Sequence, residues 1–336
     1  MSGVCEKIDA SKPPGGKVID YKILISRGNL LDGWQKFCRG KWKQQVVRNF
    51  WLKLEENLGL LYHDLSLKKY RHRPYRHFVV TDGKKRDIYV AAVRDRVVQQ
   101  ILADYLAEIF DPIFYFHSYA ARNGKGLQRA RKYCFKIMKR LGATSQTHIA
   151  KLDIRKYFAS IDHKILMKLL ERRIHDHDIL ALMREVIGSF GENGQGLPLG
   201  NLTSQWFANI YLHELDYYAK QNLKICYYLR YNDDMIIIGS DRRLLAHQAE
   251  NIRKFVSEKL LLAIPDEKFS ICSLPQAVDI LGKVFNGRNY WLRPKTAKRA
   301  KVKLAAKRAN LSVSLTESVI TYYDLGVDLR YYLSGL

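Results

Sequence analysis

The sequence predicts an α+β fold in which helices and antiparallel hairpins are mixed along the chain. Three observations predict it. Apolar residues recur at helical spacing in several segments. Short runs of β-branched and aromatic residues flank turn signals such as Asp82-Gly83. Of the 336 residues, 47% are apolar, so the chain can bury a core, and intrinsic disorder is excluded.

The first half of the chain is predicted to be mainly helical, with one hairpin. The leader carries Ser, Pro and Gly and is expected to be flexible. The hairpin is placed where two short apolar runs enclose an Asp-Gly turn. In chain order the elements are the leader (1–19), a stretch of helical spacing (Leu30 to Leu61), two hairpin strands (Phe78 to Val80 and Arg86 to Val90) and two helices (Arg94 to Ile109 and 126–141).

The second half is predicted to alternate strands with helices. A glycine-rich loop, GENGQGLPLGN, opens its long helix, and a basic helical tail begins near Lys295. The predicted helices are His163 to Arg173, Leu180 to Phe190, Leu202 to Ala219 and Asp241 to Leu262. The predicted strands are His148 to Ile154, one strand on each side of the tight turn in Tyr231 to Asp234, and the segments KFSICS and AVDILGKVF.

The net charge of +24 is distributed unevenly. Residues 1–150 hold 29 basic and 13 acidic residues, 151–250 hold 13 of each, and 251–336 hold 15 and 7. Two basic flanks therefore enclose a neutral middle. A charge this large indicates a polyanionic partner, usually nucleic acid. The alternative is that Lys and Arg only solvate exposed helix faces.

Several protein classes are not expected from the composition. The five cysteines are scattered without C-x-x-C spacing, so neither a zinc site nor a disulfide framework is expected, and a reducing cytosol fits best. We find no run of about 18 apolar residues, so we expect no membrane-spanning helix and no membrane partner. The first residues lack the apolar stretch of a secretory signal. The expected location is the cytoplasm.

Three aspartates in two apolar segments form the strongest chemical signal. Asp233 and Asp234 precede the apolar run Met235 to Ile238, and Asp153 ends another apolar strand. Charges in such a setting cost several kcal/mol unless a cation compensates them. Three carboxylates on adjacent strands can hold two divalent cations about 4 Å apart, and oxygen ligands favour Mg²⁺. The alternative is that an Asp-Asp pair sits in a hairpin because Asp favours turns.

The order of motifs over roughly residues 70 to 300 resembles that of reverse transcriptases. LDIRKYFASIDH resembles the first palm motif, with Asp153 as a metal ligand, and YNDD resembles Y-x-D-D, with Asp233 and Asp234 as the other acids. FHSYAARNGKG is similar to the bacterial S-Y-G-F-R-x-G segment, although Ala120 and Ala121 replace Gly and Phe. The resemblance implies a right-hand polymerase with fingers, a palm whose antiparallel sheet carries the acidic site, and a short helical thumb.

The same resemblance implies roles for individual residues. The metal ligands would be Asp153, Ile154, Asp233 and Asp234, holding two Mg²⁺ ions, with Mn²⁺ as a possible replacement. The nucleotide would be bound by Lys84, Lys85, Arg86, Phe158 (the steric gate against a 2′-hydroxyl), Leu199, Gly200, Gln205 and Lys268. Template and primer would be bound by Arg122, Tyr231, Leu281, Gly282, Lys298, Arg299 and Lys303. Without the resemblance, the same residues can be explained without a binding role. They would then belong to a solvated hairpin, an aromatic residue of the core, a turn and an exposed basic helix.

One loop narrows the resemblance to a subtype. It reads L-G-x-x-x-S-Q from Leu199 to Gln205, where group II intron and retron enzymes read Q-G-x-x-x-S-P. The form found here is similar to the reverse transcriptases of diversity-generating retroelements. That likeness implies error-prone copying of a template-repeat RNA at adenines for mutagenic retrohoming, with a small basic accessory variability protein as partner. Leu199 offers no amide, and we expect this to loosen discrimination at the templating position.

The implied organisation divides the chain into three parts after the leader. The N-terminal extension and fingers would occupy 20–147, the palm 148–290, with fingers-proximal helices around 165–200, and the thumb 291–336. The expected substrates are dNTPs, template RNA and an RNA/DNA duplex. Two alternatives remain open. One is another compact bacterial reverse transcriptase, such as a phage-defence enzyme, and the other is a non-catalytic RNA-binding scaffold of the same fold.

Overall fold

The structure is a computed structural model that describes residues 19–81, 85–142 and 146–299. Its helices are α1 (Tyr21–Leu24), α2 (Arg27–Cys38), α3 (Gln45–Leu52), α4 (Leu54–Ser66), α5 (Val93–Phe110), α6 (Leu127–Leu141), α7 (His163–Glu171), α8 (His177–Gly188), α9 (Leu202–Tyr217) and α10 (Arg242–Leu260). Its strands are β1 (Arg76–Thr81), β2 (Lys85–Val90), β3 (His148–Asp153), β4 (Tyr227–Tyr231), β5 (Asp234–Gly239), β6 (Phe269–Ser273), β7 (Val278–Ile280), β8 (Lys283–Phe285) and β9 (Tyr290–Leu292).

Some predicted features fall outside these residues. They are nearly all of the leader, the Asp82-Gly83 turn, Lys84, Lys303 and the tail beyond Arg299. Among the helices that the structure does describe, none is long and apolar enough to cross a membrane.

Three antiparallel sheets and the surrounding helices confirm the α+β class. The strand order is β1-β2 in the first sheet, β4-β5-β3-β6 in the second and β7-β8-β9 in the third. The hairpin around residues 82–83 and the long helix of Arg94 to Ile109 are confirmed by β1-β2 and α5. The strand β9 was not predicted, because only three residues pair with β8 and their apolar pattern is too short to recognise.

The helical spacing between Leu30 and Leu61 corresponds to three helices, α2 to α4, and not to one. Gly40 follows α2 with φ +70°, a left-handed conformation that ends the helix and turns the chain. The interruption is invisible to a periodicity argument, because apolar residues continue on both sides of it. The helix α8 begins at His177, before the predicted Leu180, because the Asp176 side chain accepts from the backbone N–H groups of Asp178 and Ile179.

The four-stranded sheet is covered by helices on both faces. Met235 and Ile237 of β5 belong to the main core, which includes residues of α5, α9 and α10, whereas Ile236 and Ile238 pack in a second cluster with residues of α6. Successive side chains of a strand point to opposite faces. Cover on both faces therefore explains why four consecutive apolar residues are needed in β5.

The glycine-rich loop is fastened to the base of the β1-β2 hairpin. The Tyr89 N–H donates to the Leu199 carbonyl at 3.0 Å, and the Asn201 side-chain amide donates to the Tyr89 carbonyl at 2.7 Å. Gly200 has φ +104°, and a Cβ atom there would lie 3.0 Å from Cγ2 of Ile88. The loop thus needs glycine for its conformation and for the close approach.

Replacing Gly200 by Ala is expected to lower the free energy of unfolding by roughly 1–3 kcal/mol, because a side chain is strained at this φ. The matched control is Gly59→Ala in α4, where the new Cβ atom meets nothing within 4 Å. That change should raise the free energy of unfolding by about 0.5–1 kcal/mol. Chemical denaturation of both variants measures the difference, and equal effects would contradict the strain at Gly200.

Candidate active site

Three aspartates lie together at one end of the four-stranded sheet. Asp153, the last residue of β3, is directly opposite Asp234, the first residue of β5. Asp233 belongs to the tight turn between β4 and β5, where Asn232 has φ +53°. The Asp233 carbonyl also accepts from the Ile154 N–H at 3.4 Å. The register of two strand pairs therefore brings carboxylates from distant parts of the chain to one edge.

A lysine pairs with one of these carboxylates. Lys268 ends a short 3₁₀ turn that leads into β6, the other neighbour of β3. Its Nζ atom donates to Oδ2 of Asp153 at 2.5 Å, with about a third of each side chain exposed. The hydrogen bond to Asp153 raises the pKa of Lys268 above its ordinary value. The predicted nucleotide-binding lysine thus lies at the acidic site, as an ion pair.

The other two aspartates lie where negative charge is disfavoured. Burial raises the pKa of Asp234 to about 6, and the neighbouring charges of Asp233 and Asp153 add to the rise. The pKa of Asp233 is also raised, first by burial and then by Asp153, against the lowering effect of a backbone hydrogen bond. The three carboxylates therefore repel one another in a partly desolvated place, and Lys268 compensates only part of their charge.

The raised pKa of Asp234 predicts a pH-dependent stability in a metal-chelating buffer. Since the folded state prefers the protonated acid, the ionised form costs stability above about pH 6, and this cost disappears as the pH falls toward the ordinary pKa of 3.8. Asp234→Asn removes the cost. We expect the variant to resist urea better than the wild type at pH 8, with a difference that shrinks below pH 6. A difference independent of pH would contradict this.

The donor set fits a divalent cation. Asp233 and Asp234 have raised pKa values, and oxygen donors are the ligands that Mg²⁺ prefers. Among the described residues, however, no three His, Cys, Asp or Glu side chains form a group that could hold a metal ion. Lys268 engages Asp153, so this carboxylate would have to release the lysine before it could bind a cation.

Sequence reasoning missed a buried arginine beneath the aspartate turn. Arg230 is fully buried and forms an ion pair with the equally buried Asp216 of α9, at 2.7 Å. It also donates to the Asn209 side chain and to the Asn232 carbonyl inside the turn, at 3.0 and 3.2 Å. Burial alone would lower the pKa of Arg230, but the charge of Asp216 outweighs it and raises the pKa. The sequence did contain a signal for this ion pair, because a basic residue inside an apolar strand needs a buried partner.

A cleft of about 220 Å³ opens beside the carboxylates. Four predicted site residues line it, namely Asp153, Asp234, Lys268 and Leu281. Ile154 is buried, so only its backbone is close to the site. The cleft also contains residues that were not predicted, which are Lys151, Leu152, Met235, Ile236, Glu267, Phe269, Ser270 and Arg293.

The remaining predicted nucleotide-binding residues lie on neighbouring segments. Phe158 is half-buried and packs against the main core, and its carbonyl accepts from the Leu197 N–H at 2.7 Å. Gln205 is exposed in the first turn of α9. Lys85 and Arg86 are exposed on β2. The loop with Leu199 and Gly200 is hydrogen-bonded both to Phe158 and, through the Tyr89 backbone, to the hairpin.

The predicted template–primer residues have different surroundings. The Arg122 side chain is 6% exposed and donates to Asp111 and to the Tyr115 and Ser118 carbonyls, contacts that indicate a structural role. The other residues are Tyr231, half-buried beside the turn; Leu281 and Gly282, which have positive φ in the β7-β8 turn; and Lys298 and Arg299, exposed in a helical segment, 294–299.

The turn between β7 and β8 is tied to a helix far away in sequence. The Arg131 side chain, on α6, donates from Nε to the Leu281 carbonyl at 2.9 Å. A Cβ atom on Gly282 would lie 2.9 Å from Nη2 of the same arginine. The guanidinium thus fixes Leu281 where it lines the cleft. Nothing local in the sequence pairs residues that are 150 positions apart.

Comparison with known proteins identifies relatives of this chain. A family model described as "Reverse transcriptase (RNA-dependent DNA polymerase)" matches residues 75–285. Protein YkfC of Escherichia coli is 28% identical over 178 residues, which cover 50% of this chain and 47% of YkfC. The group II intron-encoded protein LtrA of Lactococcus lactis is 25% identical over 235 residues, covering 66% of this chain and 38% of LtrA.

A third relative is an uncharacterized 91 kDa protein in a cob intron of Schizosaccharomyces pombe. It is 32% identical over 169 residues, or 48% of this chain and 20% of that protein. The chain therefore spans less than half the length of these three relatives. None of their names refers to a diversity-generating retroelement.

Proposed function

Because the chain belongs to the reverse transcriptase (RNA-dependent DNA polymerase) family, we propose that it copies an RNA template into DNA. The observation that carries the proposal is the meeting of Asp153, Asp233 and Asp234 at one edge of a sheet, beside Lys268 and an open cleft. Electrostatic repulsion among the acids makes this edge suited to cations. The product would be DNA made from dNTPs on an RNA template.

The proposed architecture is a right hand around this edge. The sheet β4-β5-β3-β6 would be the palm within 148–290, the hairpin β1-β2 would belong to the fingers within 20–147, and 291–336 would be the thumb. The charge distribution supports this division. The segment that contributes the acids is nearly neutral, whereas the flanking segments carry the excess of Lys and Arg that a template–primer duplex requires.

The acids and Lys268 would have complementary roles in the reaction. When bound at the three aspartates and the Ile154 carbonyl, two Mg²⁺ ions, or Mn²⁺, would activate the primer 3′-oxygen and neutralise the leaving pyrophosphate. Asp153 must exchange its hydrogen bond with Lys268 for this role. The released Lys268 ammonium would then face the pyrophosphate and could give it a proton as it leaves.

The surrounding residues would orient the nucleotide. Lys85 and Arg86, with Lys84 outside the described residues, would neutralise the triphosphate. Phe158 would abut the sugar and exclude a 2′-hydroxyl, and its fixed position against the core supports a steric role. Leu281, held by Arg131 at the cleft, would support the primer end.

Primer extension on an RNA template with Mg²⁺ tests the function, with Asp233→Ala as the negative control. Incorporation by the wild type alone supports the polymerase. Failure of both proteins to incorporate, while both bind RNA, would instead favour the non-catalytic RNA-binding scaffold. The intact set of three aspartates favours catalysis over that alternative.

For the subtype, we propose a diversity-generating retroelement enzyme that works with a template-repeat RNA and a small basic accessory variability protein. The Leu199-to-Gln205 loop supports this. The alternative is another compact bacterial enzyme, such as one of phage defence. A template repeat and a variable target gene beside the coding gene would separate the two.

The subtype predicts the error spectrum of the enzyme. Leu199 is half-buried and its carbonyl accepts from Tyr89, so the loop holds this residue at a fixed place beside the hairpin. Leu199→Gln restores an amide that can hydrogen-bond near the templating base, and we expect fewer misincorporations opposite adenine. Sequencing of the cDNA measures this, with Leu67→Gln at an exposed leucine after α4 as control. An unchanged spectrum would contradict the role of Leu199.

A further inference from the structure

A second surface rich in aromatic and basic side chains lies on the N-terminal helices. We define it as the tryptophan patch, formed by Lys41, Trp42, Arg48, Trp51 and Arg96. None of these residues lines the cleft beside the aspartates. The proposed polymerase reaction assigns no role to any of them.

The two tryptophans of the patch are exposed and yet held in place. Trp42 is 46% exposed and Trp51 is 51% exposed, and their rings meet edge to face with centroids 6.0 Å apart. From beneath, the buried Trp34 contacts Trp42 at 6.2 Å and stacks on Phe50 at 4.9 Å. Large apolar rings are thus presented to solvent on a rigid support, which a monomer normally avoids.

The cations of the patch belong to the same cluster. Nζ of Lys41 and Cζ of Arg96 lie 4.6 and 5.0 Å from the centroid of the Phe37 ring, which itself contacts Trp34. Arg48 donates to the Trp42 and Lys43 carbonyls at 3.4 and 3.3 Å. Lys41 and Arg96 therefore lie on the aromatic cluster that supports the tryptophans, and Arg48 is hydrogen-bonded to the backbone of Trp42.

These cations lack negative partners. Throughout residues 19–81, 85–142 and 146–299, no carboxylate forms an ion pair with Lys41, Arg48 or Arg96. Burial, and then the charge of Arg96, lowers the pKa of Lys41; burial, and then the charge of Arg76, lowers the pKa of Arg96. Keeping these side chains charged in a partly desolvated place costs free energy, and a bound polyanion would remove that cost.

We propose that the tryptophan patch binds an unpaired stretch of RNA outside the catalytic cleft. Exposed indole rings stack on unpaired bases of any sequence, and cations of the same cluster pair with the phosphates. The uncompensated positive charge argues against a basic protein as occupant. The choice of RNA over single-stranded DNA rests on the proposed function, which makes RNA the substrate that this chain meets.

The test is the binding of a fluorescent, unstructured 12-nucleotide RNA to the full chain, measured by anisotropy. Trp42→Ala and Trp51→Ala should each weaken binding about tenfold, as expected for the loss of one stacked base. The control is Phe116→Ala, which removes an aromatic ring that is 60% exposed outside the patch, with Nζ of Lys125 3.2 Å from its centroid. Its affinity should stay unchanged.

A second variant guards against loss of folding in the tryptophan variants. Lys41→Gln keeps the aromatic cluster, and it should reduce by about one the slope of log affinity against log salt. Extension of a primer–template duplex with a short template overhang should persist in the tryptophan variants, whereas Asp233→Ala should abolish extension and leave binding to the 12-mer intact. The two measurements therefore distinguish a patch that does not bind RNA from a chain that does not extend primers.

Three outcomes would overturn the proposal. The first is equal affinity of the wild type and both tryptophan variants for the RNA. The second is tighter binding of a single-stranded DNA of the same sequence than of the RNA. The third is a wild-type dimer in sedimentation that Trp51→Ala dissociates while RNA affinity is unchanged, since a second copy of the chain would then cover the patch.

Discussion

Asp234→Asn is expected to lower the rate of nucleotide incorporation by about 10³-fold or more. Asp234 begins β5 directly opposite Asp153, and asparagine keeps its shape while removing its charge. In the proposed reaction this carboxylate would supply several kcal/mol of transition-state stabilisation through the cations that it would hold, and each 1.36 kcal/mol is tenfold in rate. Single-turnover primer extension on an RNA template measures the change.

A matched control tests whether the loss of any negative charge lowers the rate, or only the loss of the charge at the site. Asp32→Asn removes the charge of an exposed aspartate on α2, away from the cleft, and should leave the rate unchanged. Because Asp234→Asn is also expected to stabilise the folded chain at pH 8, loss of activity cannot be attributed to unfolding. Retention of more than a tenth of the wild-type rate would contradict the assignment of Asp234.

Arg230→Met should destabilise the chain by about 3–5 kcal/mol, because it leaves the fully buried Asp216 without a counter-ion. The same variant removes the hydrogen bond to the Asn232 carbonyl, so the turn that carries Asp233 should lose its fixed position and activity should fall as well. Urea unfolding measures the first effect, and primer extension below the unfolding transition measures the second.

Two further variants identify the cause. Arg230→Met combined with Asp216→Leu removes both charges and should recover much of the stability, though not all, since the Tyr228 hydroxyl also donates to Asp216. Lys36→Met opens the exposed ion pair with Asp104 and should change stability by less than about 1 kcal/mol. If Arg230→Met and Lys36→Met had equal effects, the buried pair would not support the turn.

The positions of the acids along the chain could be predicted because they depend on local pattern. Asp153 ends an apolar strand, and the Asp233-Asp234 pair interrupts an apolar run at a turn, and both places are recognisable from alternation and turn chemistry. The hairpin β1-β2 and the helix α5 could be predicted for the same reason. The break between α2 and α3 could not, because Gly40 interrupts the backbone without interrupting the apolar spacing.

The sequence by itself determined the α+β class, the acidic segments and the division of charge, since each follows from residues that are neighbours along the chain. Only the tertiary structure decided that Asp153 faces Asp234, that Lys268 takes Asp153 as its partner, and that Arg230 meets Asp216 beneath the turn. These contacts depend on strand register and on how α9 and α10 return the chain to the sheet. Register is chosen by the burial of whole faces, and no local pattern contains that information.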